Sequence, residues 1–337
     1  MTPRLLGRTG IRVSPLCLGC MMFGGRTSPE DSKRIIDRAL DAGINFLDTA
    51  NVYNDGKSEE AVGAALRQNG HRHHIVLATK VHGNMHKGDP LDPNQSGNSR
   101  RQIIEQCEAS LRRLKTDWID LYQIHRPQPE CAIDETLRAL DDLVRSGKVR
   151  YIGTSTYAAW QLVESLWVSK EYGLNRFVTE QPPYNLLDRR IERELIPAAK
   201  TYGFGLIPWS PLAGGFLSGK YKRQGAQPEG RFADGTHMRA PSLLGSARAF
   251  DAVEALGALA KEKGTTLSQL AIAWTVQQPH ITSPIIGPRT LEQLEDNLKA
   301  LEVRLGPEDR ARIDEICPPG EHIVSFYDAA FGPNERW

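Results

Sequence analysis

Apolar positions along the chain follow two rhythms that alternate from one end to the other. Short, nearly continuous apolar blocks lie at 16–18, 45–47, 75–79, 119–124, 149–152, 177–178, 205–208 and 283–286. Blocks of this length, apolar on both faces, predict strands covered on both sides, as in a parallel sheet. Between them the apolar residues recur at helical spacing. The pattern predicts a helix over 29–41, with Ile35, Ile36 and Leu40 on one side, and further helices over 57–67, 99–113, 133–146, 157–170 and 188–201. Helices over 247–262, 267–277, 290–300 and 307–316 complete the series. Ahead of the first block, residues 5–13 read as a hairpin around a Gly-flanked turn.

Eight strand–helix units in succession imply parallel strands joined by right-handed crossovers. An open doubly wound sheet has the same alternation, but eight repeats in one chain favour an α/β fold closed as a (β/α)8 barrel, with an N-terminal hairpin and extra C-terminal helices. No linker or break in composition divides the chain, so residues 1–337 read as one domain. Two long stretches without a clear rhythm, 82–98 and 211–245, are candidate walls of a site, because long irregular loops in compact domains are usually functional.

Composition narrows the function classes. Lys+Arg number 42 and Asp+Glu 41, so no bulk charge points to nucleic acid or an anionic membrane surface. No apolar run reaches membrane-spanning length, and the first residues lack a basic-then-apolar leader. Cys17, Cys20, Cys107, Cys131 and Cys317 are odd in number and scattered, which fits reduced thiols in a cytoplasmic protein. Cys17 and Cys20 form a C-x-x-C, yet Gly19, Gly24 and Gly25 suggest an irregular loop rather than the strand-to-helix turn of a redox pair. His71, His73, His74, His82 and His86 hint at metal but flank a surface turn without carboxylate or thiol company, so no metal site is expected.

The chemistry sits at strand ends. Block 45–47 runs into Asp48 with Tyr53 five residues on, block 75–79 runs into Lys80, and block 119–124 runs into His125. In a barrel these strand ends share one rim, where catalytic groups of such folds lie. A carboxylate, a phenol, an amine and an imidazole brought together there make a proton-donating device. The reference pKa of Tyr is about 10, and a neighbouring Lys cation lowers it.

Gly43–Asn54, with Gly56 and Glu59-Glu60 beyond it, resembles the aldo-keto reductases. So do Ala78-Thr79-Lys80-Val81 and the run 117–125 ending in His125, and the likeness extends from the hairpin to about residue 330. Among the family's members the chain looks most like the bacterial and potassium-channel β-subunit branches. The resemblance implies that Tyr53 donates a proton to a carbonyl oxygen, Lys80 lowers the Tyr53 pKa, Asp48 holds Lys80, and His125 orients the carbonyl. It implies further that Ser155 and Gln181 grip a nicotinamide carboxamide, with Thr156 standing where Asn is common. Trp209 would stack on the nicotinamide, and Ser210, Leu212, Gly214 and Lys220 would follow the pyrophosphate. Gly287 and Arg289 would open a helix whose Gln293 and Asn297 share a face with Arg289 toward the 2′-phosphoribose and adenine. On that helix, spacing turns Glu292 and Glu295 away from the 289/293/297 face and leaves Asp296 beside it. No G-x-G-x-x-G follows an early strand, against a Rossmann site.

These readings predict an NADPH-dependent reductase of an aldehyde or ketone, a small carbonyl substrate, and a pocket shaped by 82–98, 211–245 and tail residues 325–328. Two other readings compete. A cofactor-binding regulatory protein like the potassium-channel β subunits is one, although the hairpin begins too near residue 4 to leave an extended inactivating segment. A barrel hydrolase or lyase using Asp48 with another carboxylate is the other. Oligomeric state is not legible.

Overall fold

The computed structural model describes residues 1–85, 92–225, 227, 229–232 and 239–325. Strands β1 (Arg4–Leu5) and β2 (Arg12–Val13) form an antiparallel hairpin. Strands β3 (Cys17–Gly19), β4 (Phe46–Asp48), β5 (Val76–Val81), β6 (Ile119–Ile124), β7 (Val149–Ser155), β8 (Phe177–Gln181), β9 (Gly205–Leu206) and β10 (Ile285–Ile286) make one parallel sheet in the order β10-β3-β4-β5-β6-β7-β8-β9. Beside β9 and β10 the sheet curls toward closure. Thr282 N donates to Leu206 O at 2.8 Å and Ile285 N to Pro208 O at 2.8 Å. The eight strand blocks expected from the apolar pattern are the eight strands of this (β/α)8 fold.

The barrel interior is a compact apolar layer of Cys17, Phe46, Val76, Ala78, Leu121, Ile207 and Ile285. Leu6 and Val13 of the hairpin join it, so the hairpin caps the end of the barrel remote from the strands' carboxyl termini. Arg4 fastens that cap by donating to the carbonyls of Val276 (3.0 Å), Ile281 (3.0 Å) and Thr282 (3.3 Å).

Helices α1 (Pro29–Asp41), α2 (Lys57–Asn69), α3 (Arg100–Leu114), α4 (Ile133–Arg145), α5 (Ala159–Tyr172) and α6 (Leu195–Tyr202) surround the strands, followed by α7 (Ala240–Leu244), α8 (Ala247–Glu262), α9 (Leu267–Val276), α10 (Leu291–Lys299) and α11 (Pro307–Ile316). α1 shows how local sequence sets a boundary: Ser28 Oγ accepts from Asp31 N at 3.1 Å, and Pro29 takes the first position, where no N–H is needed. α9 packs on α10 and α10 on α1, closing the ring, while α8 and α11 pack together as the extra C-terminal pair.

Two expectations change. The helix predicted over 188–201 begins only at Leu195; a short 3-10 turn, Arg190–Glu192, precedes it. Side chains pull that segment away from helical geometry. Asp188 accepts from both Arg190 Nε (2.8 Å) and Nη2 (2.6 Å), and Arg189 reaches Glu192 and Asp314. The described residues of 211–245 include a 3-10 turn at Ala213–Ser218 and the short α7. Of the C-x-x-C, Cys17 lies in β3, as the apolar block 16–18 predicted, and Cys20 follows that strand. The Cys17 thiol belongs to the barrel interior and that of Cys20 to the outer core. Burial, and then the charge of Asp48, push both thiols up, away from the reactive thiolate.

Candidate active site

Lys80 stands on β5 with its side chain fully buried. Its ammonium donates to Asp48 Oδ1 at 2.5 Å, to Thr49 O at 2.8 Å and to the Tyr53 hydroxyl at 3.2 Å. An ammonium has three N–H donors, and here each has its own acceptor. Burial works against the Lys80 charge, but Asp48 and the Tyr53 oxygen outweigh it, and the Lys80 pKa stands above its ordinary value. The pair therefore holds a fixed cation 3.2 Å from the Tyr53 oxygen.

Tyr53 reaches this position from a tight turn after β4. Asn54 and Asp55 adopt left-handed backbone (φ 51° and 54°), a conformation these two residue types tolerate better than most. Asn54 Nδ2 locks the turn by donating to Met21 O (3.0 Å) and Phe23 O (2.8 Å). His125 follows β6, its backbone N donating to Val81 O at 2.9 Å. Its ring meets that of Tyr53 edge-on, with centroids 5.7 Å apart. Burial, then the nearby Arg126 and Lys80, hold the His125 pKa well below the usual imidazole range, so the ring is neutral and able to share one N–H.

The second oxygen of Asp48 is held as firmly as the first. Gln123 Nε2 donates to Oδ2 at 3.0 Å and Gln181 Nε2 to the same atom at 2.9 Å. Gln123 lies between Tyr122 and Ile124 near the carboxyl end of a strand buried along its whole length. That was the one signal in the sequence that could have marked it.

Above Asp48 opens a cavity of about 780 Å³. Its inner end is lined by Asp48, Tyr53, His125, Ser155, Gln181 and Trp209, with Lys80 directly beneath. Its outer reach is lined by Ser210, Leu212, Gly214, Lys220, Gly287, Arg289, Gln293 and Asn297. The residues singled out from the sequence thus converge on one elongated cleft. Ser155 Oγ donates to Gln181 O at 2.9 Å, tying the ends of β7 and β8. Thr156 turns its hydroxyl back to Ser155 O at 2.7 Å and lies outside the lining.

The cleft is more cationic than the sequence suggested. Arg26, Arg126, Arg231 and Arg239 line it as well, as do Met21, Met22 and Ser268. Burial, and then Arg26, lower the Arg231 pKa; burial, and then Arg289, lower that of Lys220. Cations gathered this closely disfavour one another until an anion joins them. The backbone beside them turns through left-handed residues at Ser210, Ala213, Gly214 and Gly215. At Gly214 a side chain is excluded twice over, because φ is +68° and a Cβ would lie 2.7 Å from the Phe232 ring. Such a cleft, cationic at its outer reach and proton-donating at its inner end, suits an anionic ligand outside and a proton acceptor inside.

Glu292 departs from the expected geometry. Together with Asp296 it lines the cleft, since it opens α10 and faces the cavity from the helix's first turn. Asp296 accepts from Gln269 Nε2 at 2.6 Å, and Glu295 pairs with Arg38 at 2.6 Å on the far side, as spacing required. Of loop 82–98, none of the described residues lines the cavity, whereas 211–245 supplies much of its wall. Residues 86–91, including His86, and tail residues 326–328 lie outside the described residues. Ser325 accepts from Arg190 Nη2 at 3.0 Å instead of reaching the cleft. His71 and His74 meet at 3.2 Å between ring nitrogens and His73 packs on Trp118.

A model of the aldo/keto reductase family matches residues 15–318. The chain belongs to this family. It is 43% identical over 334 residues to a Bacillus subtilis (strain 168) protein named uncharacterized oxidoreductase YrpG, covering 96% of this chain and 98% of that one. It is 37% identical over 316 residues to a probable voltage-gated potassium channel subunit beta of Oryza sativa subsp. japonica (92% of this chain, 95% of the relative). Versiconal hemiacetal acetate reductase of Aspergillus parasiticus is 36% identical over 337 residues (93% and 96%). Membership in the aldo/keto reductases supports oxidoreductase activity with a nicotinamide cofactor. Among the described residues, no helix is long and apolar enough to cross a membrane.

Proposed function

We propose that this aldo/keto reductase is an NADPH-dependent carbonyl reductase that interconverts an aldehyde or ketone with its alcohol, with Tyr53 as the proton donor. The observation that carries the reading is the Lys80 ammonium shared between Asp48 (2.5 Å) and the Tyr53 hydroxyl (3.2 Å) at the inner end of a cation-lined cleft.

Ser155 and Gln181 would hold the nicotinamide amide, Trp209 its ring face, and Lys220, Arg231 and Arg289 the phosphates, with Gln293 and Asn297 at the adenosine end. The bound cofactor supplies the hydride that reduces the carbonyl carbon. The protein's own groups serve the oxygen. His125, neutral, orients the carbonyl by a hydrogen bond, and Tyr53 gives up its hydroxyl proton as negative charge develops there. Lys80, fixed by Asp48 and Thr49 O, stabilises the phenolate left behind. Because these donors are held before substrate arrives, little reorganisation is needed during reaction.

The choice of NADPH rests on the guanidinium of Arg289 at the start of α10, where a helix N-terminus also favours an anion. Arg231 and Lys220 add charge on the same side. The decisive experiment is a panel of sugar, aromatic and dicarbonyl aldehydes and ketones, following loss of reduced-nicotinamide absorbance with NADPH. Steady consumption with any of them supports the reading. A second reading, a regulatory cofactor-binding protein, draws on the potassium channel β-subunit relatives. Tight NADPH binding with no turnover of any carbonyl would favour it.

A further inference from the structure

Asp48, Gln123 and Gln181 form a closed triangle beneath the cleft. Both amides donate to Asp48 Oδ2, at 3.0 and 2.9 Å, and Gln181 Nε2 also donates to Gln123 Oε1 at 3.2 Å. All three side chains are buried, and Gln123 is fully so. Gln181 and Asp48 line the cleft, while Gln123 lies behind them.

The sheet register explains how Gln123 reaches across. Lys80, Gln123 and Gly153 are paired neighbours on β5, β6 and β7, and Gly153 pairs with Thr179 on β8. A Cβ at Gly153 would stand 3.3 Å from Gln123 Cγ and 2.2 Å from Thr179 Oγ1. The missing side chain on β7 therefore opens the space through which the Gln123 amide approaches both Asp48 on β4 and Gln181 on β8. A buried primary amide costs desolvation unless its partners are present, and here the partners are a carboxylate and a second amide.

We infer that Gln123 is a positioning residue that couples the nicotinamide end of the cleft to the proton-donating group, by fixing the Gln181 amide and the Asp48 carboxylate in one hydrogen-bonded unit. This rests on the reading of Gln181 as a cofactor contact. With its N–H bonds spent on Asp48 and Gln123, Gln181 presents its carbonyl oxygen to the cleft as an acceptor. Asp48, held through Oδ2 by the same amides, turns Oδ1 toward Lys80. Cofactor seating and the Lys80–Tyr53 geometry are then parts of one network, and disturbing Gln123 disturbs both.

The test uses Gln123→Leu, Gln181→Leu, their double variant and Gln123→Glu, with NADPH affinity measured by fluorescence titration and kcat followed across pH. A hydrogen bond to a buried charge is worth about one to two powers of ten, so Gln123→Leu should lower kcat about tenfold or more and weaken NADPH severalfold. In the double variant the loss of affinity should be no greater than in Gln181→Leu alone, because the two act as a unit. Gln123→Glu keeps the shape. As a carboxylic acid it donates to Asp48 as the amide does, and once ionised it repels Asp48. Its kcat should approach that of the wild type at low pH and fall away at a lower pH than in the wild type. Additive losses of affinity, or a wild-type pH profile in Gln123→Glu with nothing changed but thermal stability, would overturn the inference. Should the wild type turn over no carbonyl, the reductase reading fails by itself, and additivity of the NADPH affinities then decides this one alone. A wild type that binds no NADPH overturns both.

Discussion

Replacing Tyr53 with Phe removes one oxygen and nothing else, and the structure says what that oxygen does. It is the most distant of the three Lys80 acceptors, at 3.2 Å against 2.5 Å for Asp48 and 2.8 Å for Thr49 O. The ammonium therefore keeps its two shorter partners in Tyr53→Phe. The aromatic ring keeps its edge-on contact with His125, so the cleft retains its shape. Loss of one partly exposed hydrogen bond costs about 0.5–1.5 kcal/mol of stability, a shift of about one to two degrees in a chain of this size. Catalysis should suffer far more. General acid catalysis contributes about 10²–10⁴-fold, equivalent to about 3–5 kcal/mol of barrier. The assay is the rate of NADPH consumption at saturating carbonyl, with NADPH affinity and melting temperature measured on the same sample. The expected result is a fall in kcat of two to four powers of ten, roughly, with affinity within a fewfold of wild type. A variant that keeps turnover within a fewfold would show that the proton comes from elsewhere, and the assignment of Tyr53 would fall.

Three further outcomes follow from named contacts. Lys80→Met should depress turnover more than Asp48→Asn, since the first removes the cation beside the phenol while the second leaves an acceptor for it; the reverse ranking at neutral pH would show the two roles wrongly divided. Arg289→Ala should weaken NADPH about ten- to a hundredfold, as loss of a charge-assisted phosphate contact implies, and leave NADH nearly unchanged; equal losses for both cofactors in titrations would sink the NADPH assignment. Glu180, fully buried and accepting from Thr154 Oγ1 at 2.6 Å and Tyr157 N at 3.2 Å, has its carboxyl pushed up to about 8 by burial. Its folded pKa thus lies above the unfolded value of about 4.3. The folded state binds the proton more tightly, so this stability is fully present below the unfolded pKa and is lost as pH rises through about 8. The slope is up to about 1.4 kcal/mol per pH unit. Melting curves of Glu180→Gln should lose less stability than the wild type between mildly acidic and mildly alkaline pH, and parallel curves would refute the linkage.

By itself the sequence determined the architecture and the inner half of the site. Parallel strands covered on both faces must be written as continuous apolar blocks. Asp48, Lys80 and His125 therefore announced themselves as polar groups placed where such blocks stop, and eight blocks implied one rim. The face shared by Arg289, Gln293 and Asn297 was equally legible, because helical spacing is a local property. What required tertiary structure was everything that depends on how separate segments meet. Arg26 and Arg231 are ordinary charges in loop sequence, and only the fold of those loops over the cleft brings them beside Arg289. Glu292 faces the cleft because α10 is oriented by its packing on α1 and α9, not by its own periodicity. Helix formation fails over 188–194 because Asp188, Arg189 and Arg190 find partners, some of them far away in the chain. Gln123 touches Asp48 and Gln181 only because a glycine on the strand beside it leaves room. Hydrophobic periodicity records which side of an element is buried, whereas a hydrogen bond between residues 75 or 133 positions apart depends on register and packing that no local pattern encodes.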